Sequence, residues 1–498
     1  MSPLPPISTH PNPKRRHYEP ISVERQQRPD MEGHEVASVV DHVALFRAFW
    51  MLGLLNNASY VIMIACAKNI SEGGTGLVFL ANVVPSLGIK LSSPWWFDRV
   101  GYNTRMILAT LCMVLSFFLI ATASSSHSII DNDNHQDRRM EWQLMGVALA
   151  SAQCGLGEAS LLALAGKRDS QLHLEEYPES GTNTNNSNNN NNMDHSREPP
   201  PKGQCLTCFS SGTGIAGVFG FFWKWFWNEW LGFSLSVTLW LAMSLAISYI
   251  SVYRRALWHH DSRSEMIPVV ASTEEEVVPQ EAQSLQISLE QEYEYEYEYE
   301  IPAVTPIDEM NGWQRLYMVL SLWPYMLPLF VVYAAEYALQ AGTWTAIGFP
   351  LQDQEARDSF YEFSNWMYQA GVFVSRSSGT IYTAPMWVLW LMPALQSINV
   401  IFFSTVASYP DAISWIYSPT VLYPLCFYVG LLGGAVYISG YKRICADLPV
   451  PHREFSLSAT SVAEGAGVLV ADILGLFIQS CLYQVNELQG AVVACPLR

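Results

Sequence analysis

The feature that most restricts what this chain can fold into is the segregation of its charge. Runs of about twenty apolar residues, nearly free of Asp, Glu, Lys and Arg, alternate with short stretches dense in those residues. A bilayer's hydrocarbon core takes about 20 apolar residues per helix, and a helix satisfies its own backbone N–H and C=O groups where no water can. The expected fold class is therefore an all-α polytopic membrane protein. About eleven runs qualify as spans. In the first half they are Val43–Ala67, Gly76–Trp96, Ile107–Ala123, Leu144–Ala165, Thr213–Trp230 and Gly232–Val252. In the second they are Leu316–Leu339, Phe363–Thr383, Met386–Ala407, Thr420–Ser439 and Phe455–Tyr483. The fifth carries Lys224, Asn228 and Glu229, and its Trp223, Trp225, Trp227 and Trp230 suit a membrane interface. Only 14% of residues are charged, against about 25% in soluble domains, so a soluble enzyme is excluded.

The connections set the organisation. With the N-terminus cytoplasmic, the cytoplasmic connections and tail hold 18 Lys and Arg and the opposite side 5, which favours that orientation. Residues 1–42 are a polar tail without the apolar core of a cleaved signal peptide. Residues 43–252 form an N-terminal helical bundle with a disordered insert at about 168–204, and 314–484 a C-terminal bundle followed by a short tail, 485–498. Between them, 253–313 is an acidic cytoplasmic linker, the layout of a two-bundle transporter. Much of the net charge of −18 comes from Glu274–Glu309. The asparagine tract Thr182–Asn192 and the Glu/Tyr alternation Glu292–Glu300 cannot bury enough apolar surface to offset chain entropy.

A charge inside a span costs at least about 2.5 kcal/mol on insertion scales, so ionisable residues there are the first functional candidates. They are Glu158, Glu336, Arg376, Glu464 and Asp472. Hydration near a span end is the structural reading for Glu336 and Asp472, and snorkelling for Arg376. Glu158 and Glu336 have no opposite charge one turn away, so each requires a cavity, a proton or a partner helix. Asn56 and Asn57 are polar breaks in the first span. Ser211, Gly212, Thr213 and Gly214 open the fifth, either as a close-packing stripe of small residues or as an unwound helix end whose free N–H groups meet an anion; the residues alone leave both open.

Other signals are slight. The nine cysteines suggest no disulfide framework. Cys205 and Cys208 have zinc-like spacing without a second pair, so no metal site and no cofactor is expected; acylation suits these juxtamembrane thiols better. Cys495 sits in the prenylation position, but the following Pro-Leu-Arg fits that signal poorly. Asn69 begins a glycosylation sequon in an expected luminal loop. Nucleotide-binding, metalloprotease and nucleophile-elbow motifs are lacking, as is any basic face for nucleic acid.

Seven motifs then fall in a telling order: Phe49-Trp50 through Asn56-Asn57 to Tyr60, Gly155-Leu-Gly-Glu158, Ser210-Ser-Gly-Thr-Gly214, Val332-Tyr333-Ala-Ala-Glu336-Tyr337, Tyr368 through Gly371 to Arg376-Ser-Ser378, Gly430-Leu-Leu-Gly-Gly434, and His452-Arg-Glu-Phe455. Together they resemble the battenin, or ceroid-lipofuscinosis neuronal protein, family, across residues 43 to 483. The asparagine tract and loop lengths are similar to its fungal vacuolar members. The resemblance implies a major-facilitator-like two-bundle architecture, a vacuolar or lysosomal membrane, and roles in vacuolar pH homeostasis, basic amino-acid handling and clearance of glycerophosphodiesters. It also implies that spans one, four, seven and ten line a cavity, placing Asn56, Asn57, Glu158, Glu336 and Tyr437 there. Two departures stand out: Val429 replaces an acidic residue of animal members, and the segment between Gly166 and Ser210 is expanded.

The expected function is thus a secondary transporter, not an enzyme, with the lipid bilayer and a cationic or zwitterionic small molecule as partners. The competing reading is a membrane scaffold or trafficking regulator that recruits cytoplasmic proteins through the acidic linker.

Overall fold

In the computed structural model, residues 31–66, 75–125, 133–176, 203–258, 307–410 and 415–496 (492 apart) are described. Asn69, the asparagine tract and the Glu/Tyr tract lie outside them. The chain divides into Met1–Val43, described as the opening turns of one helix, and a unit from Ala44 onward that contains everything below.

Every regular element among the described residues is helical. The helices are α1 (Met31–Ala65), α2 (Thr75–Ser92), α3 (Tyr102–Ser125), α4 (Asp133–Glu176), α5 (Gln204–Lys224), α6 (Leu235–Ala256), α7 (Gly312–Ser321), α8 (Trp323–Ala338), α9 (Gln354–Ser377), α10 (Met386–Ser408), α11 (Pro419–Asp447), α12 (Val450–Thr460) and α13 (Val462–Val485). Each of the eleven expected runs coincides with a helix or a helix pair. Among the described residues, eight segments are long and apolar enough to cross a membrane, and α7 with α8, bent by 62°, makes a ninth. The shortfall from eleven is physical. α2 has 18 residues and includes Asn82, Pro85 and Lys90, while the first half of α9 carries Glu355, Arg357, Asp358 and Glu362. The chain is an all-α polytopic membrane protein.

Local chemistry fixes the ends. Ser234 accepts from the Val237 N–H to start α6, Asp353 from Glu355 N–H to start α9, and Asn311 forms a reciprocal capping box with Gln314 at α7. Pro324 follows the α7–α8 break, where a ring without an N–H suits the first turn of a new helix. α4 runs to Glu176, beyond the start of the expected insert at 168, and Asp169 within it accepts the Cys205 and Leu206 N–H groups at 2.8 and 3.1 Å, capping α5.

Of the two readings left open for the entry to α5, close packing holds and the unwound end is not there. Ser211, Gly212, Thr213 and Gly214 sit inside one continuous helix, and packing is the reason. A Cβ on Gly212 would strike the Trp50 carbonyl and one on Gly53 the Phe209 carbonyl, so α1 and α5 touch backbone to backbone. Gly371 and Gly430 bring α9 and α11 together in the same way. One disulfide also departs from the sequence reading: Cys481 pairs with Cys495 across 14 residues. Nothing in cysteine spacing marks that pair, because the pairing depends on the chain folding back after α13.

The two halves are tied at one end. Arg315 Nη2 donates to Asp98 Oδ2 at 2.7 Å and Nη1 to the Pro94 carbonyl at 3.0 Å. Tyr102 donates to Glu454, and Arg453 Nη1 to Ser170 Oγ at 3.1 Å.

Candidate functional site

A cleft of about 530 Å3, its open mouth included, lies among α1, α2, α4, α8, α9 and α13. Its wall contains Asn57 and Tyr60, Asn82 and Lys90, Glu158, Tyr333 and Tyr337, Arg376 and Glu464. Both halves of the chain contribute, and the charged groups number two carboxylates and two cations.

These groups are held individually. Lys90 Nζ lies 2.7 Å from Glu158 Oε2, with the two side chains 4% and 8% exposed, and Tyr437 donates to Glu158 Oε1 at 3.1 Å. Glu158 thus obtains its partner from another helix, α2, rather than from its own. The direct contacts of Arg376 among the described residues are to neutral groups: Nη1 donates to Thr213 Oγ1, Nη2 to Tyr333 Oη at 2.8 Å, and the guanidinium lies 3.9 Å from the centre of the Tyr437 ring, while Glu464 and Glu158 act on it through their charge at longer range. Its Nε has no partner. Glu464 accepts from Tyr441, whose ring stands edge-on to Tyr437 with centres 4.8 Å apart. A pair, a guanidinium bonded to neutral groups and a carboxyl bonded to a phenol give the cleft the means to hold charge of either sign.

Of the residues singled out from the sequence, Asn57, Glu158, Arg376 and Glu464 meet here. Asn56 does not. It faces the α1–α4–α6 contact, donating to the Cys154 carbonyl at 3.2 Å and accepting from Tyr249 Oη at 2.9 Å and Gln153 Nε2 at 3.0 Å. Glu336 is likewise absent from the wall. It is turned from Tyr333 and Tyr337 by roughly 60–100° around α8 and is 1% exposed. Tyr368 donates to its Oε1 at 2.9 Å and Gln396 to its Oε2 at 3.5 Å, and Gly433 leaves room for the carboxylate. Asp472 lies about two turns beyond Glu464 on α13, half-buried, with an unpartnered Oδ2. Tyr437, expected in the wall, instead stands behind it, beneath Arg376 and bonded to Glu158, and Tyr441 one turn further along α11 bonds Glu464. Ser211 links α5 to α9 through Ser377 at 2.8 Å, a contact between helices rather than an anion site.

Lys90 and Asn82 were missed. Lys90 lies inside the expected span Gly76–Trp96, and the cost of a charge in lipid singles it out as readily as Glu158. Asn82 carries no charge, and only the packing of α2 reveals it. Among the described residues, no group of three His, Cys, Asp or Glu side chains is placed to hold a metal ion.

Helices that cross a bilayer and enclose a charged cleft between two halves of a chain define a polytopic α-helical membrane protein with an internal cleft. The family model described as CLN3 protein matches residues 47–183 and 201–485, and the chain belongs to that family, the one to which its motifs pointed. The interruption falls on the expanded insert. The chain is 28% identical over 469 residues to Protein btn-1 of Neurospora crassa, covering 89% of this chain and 90% of that protein. It is 28% identical over 464 residues to Protein BTN1 of Eremothecium gossypii, covering 89% and 96%. Among solved structures, the E. coli fucose:proton symporter FucP aligns with 89% of this chain and 97% of its own, at 13% identity and a TM-score of 0.42.

Proposed function

We propose that this protein is a secondary transporter of a vacuolar or lysosome-like membrane, moving a small charged solute through the cleft and contributing to vacuolar pH homeostasis. The observation that carries this reading is the cleft itself: four ionisable side chains from α2, α4, α9 and α13 face one space between the halves. Keeping four such groups in lipid is costly without a use for them. No nucleotide-binding loop supplies energy, so a proton gradient is the driving force in this reading, with the Glu464 carboxyl bonded to Tyr441 as the exchangeable group at the cleft. Basic amino acids and glycerophosphodiesters are the candidate substrates, and the N-terminus faces the cytoplasm. The protein acts as a carrier rather than an enzyme.

The test is uptake by proteoliposomes containing the full chain, with labelled lysine, arginine and glycerophosphocholine, with and without an imposed pH gradient. Gradient-dependent uptake of at least one, lost in Glu464→Gln at equal protein content, is the expected result. No uptake of any under either condition would overturn the reading and favour the scaffold.

A further inference from the structure

Asn82 is 1% exposed, yet neither its Nδ2 nor its Oδ1 has a hydrogen-bond partner among the described residues. Buried amides are nearly always satisfied, and one left without partners is a standing cost to the folded state. Asn82 lies in the wall of the cleft, in company with Arg376, whose Nε is also unpartnered among the described residues.

We infer that Asn82 and Arg376 form a recognition pair for a hydroxylated organic anion. This rests on the transporter reading and narrows the solute. The unused groups are two donors and one acceptor on the Asn82 amide and one charged donor on Arg376. A simple anion answers the guanidinium and the amide N–H but leaves Oδ1 without a donor. A solute that carries an anionic oxygen and a neighbouring hydroxyl supplies both: the oxyanion accepts from Arg376, and the hydroxyl accepts from Nδ2 and donates to Oδ1. Among the described residues no carboxylate bonds Arg376 directly, and Glu464 and Glu158 act on it only at longer range, so no direct ion pair need be broken to admit that anion. The Lys90–Glu158 pair, already matched at 2.7 Å, stays intact. A site built to hydrogen-bond a hydroxyl discriminates strongly against an analogue without one, because its own groups then stay unpaired.

The experiment uses the purified full chain in detergent and two probes that differ only in hydroxyl groups, glycerate and propionate. Ligand affinities are read from the rise in melting temperature with concentration. Expected for the wild type is tighter binding of glycerate than of propionate, by about tenfold or more. Asn82→Leu, of similar volume and without the unpaired amide, should melt no lower than wild type while losing that preference. Asn82→Ala serves as the second variant should the leucine disturb α2. Arg376→Gln should weaken both probes. If Asn82→Leu and Asn82→Ala keep the wild-type preference, or wild type binds both probes equally, the inference is overturned while the transporter reading stands on its uptake assay. If neither probe binds and the proteoliposomes take up no solute, the transporter reading falls and takes this inference with it.

Discussion

Replacing Lys90 by methionine tests whether the cleft's ion pair is held as the structure shows it. Methionine keeps the length and apolar stem of lysine and removes the charge. The pair is 2.7 Å apart with both side chains almost fully covered. At an effective dielectric of about 20 its Coulomb energy is about 6 kcal/mol, and the loss of hydration, several kcal/mol per ion, offsets most of that. The pair as a whole therefore adds little to stability, but either half alone is expensive. Lys90→Met leaves Glu158 with only the Tyr437 hydroxyl at 3.1 Å, and the expected loss is about 3–5 kcal/mol. Glu158→Gln strands Lys90 and should cost a similar amount. The double variant Lys90→Met/Glu158→Gln removes both charges and should return to within about 1–2 kcal/mol of wild type, a coupling of about 3 kcal/mol or more. The measurement is reversible unfolding in mixed micelles, compared across the four proteins. Additive losses, with the double variant as unstable as the two singles combined, would refute the argument and mean that the charges are solvated separately.

Three further outcomes are expected. Partial burial pushes the Asp98 carboxyl up, but the Arg315 hydrogen bond and charge outweigh it and hold it below its ordinary value. With the folded pKa depressed, its contribution is present above the unfolded value of about 3.9 and lost as pH falls through the folded one. Asp98→Asn should therefore cost under about 1 kcal/mol for this partly exposed pair, constant from pH 8 to 5 and vanishing only in stronger acid, as read from stability measured against pH. Gly212→Val should destabilise by about 3 kcal/mol or abolish assembly, since the Trp50 carbonyl occupies the space; Gly88→Ala, exposed on α2 with nothing within 4 Å, should be neutral or gain up to about 1 kcal/mol, in a melting comparison of the two. Glu336→Gln preserves the shape of a carboxyl bonded to Tyr368 and Gln396, so abundance and melting should hold while pH-dependent uptake falls; unchanged uptake makes Glu336 a structural residue, and Glu336→Lys should fail to fold in either case.

What the sequence determined is the set of helices and their order. Lipid imposes that answer, because a run of about twenty apolar residues has one way to satisfy its backbone there. Each expected run from Val43 to Tyr483 became a helix or a helix pair, and the motifs alone carried the family. The site was legible only in part. Glu158, Arg376 and Glu464 were found because a charge in an apolar run is conspicuous without any structure. Their partners were not, since Lys90 and Glu158 lie 68 residues apart and Tyr437 reaches Glu158 across 279. Which way each helix faces was beyond the sequence for the same reason. A shift of one residue turns a side chain by about 100°, and that shift separates Asn57 in the cleft from Asn56 in a helix contact, and Tyr337 in the wall from Glu336 behind it. Tertiary packing chose between them: Gly53, Gly212, Gly371 and Gly430 let particular helices meet at backbone distance, and that contact fixes the rotation of α1, α5, α9 and α11. Periodicity could not choose, because lipid and a protein interior are equally apolar to a helix face, so hydrophobicity marks where a span lies and not which side of it looks inward.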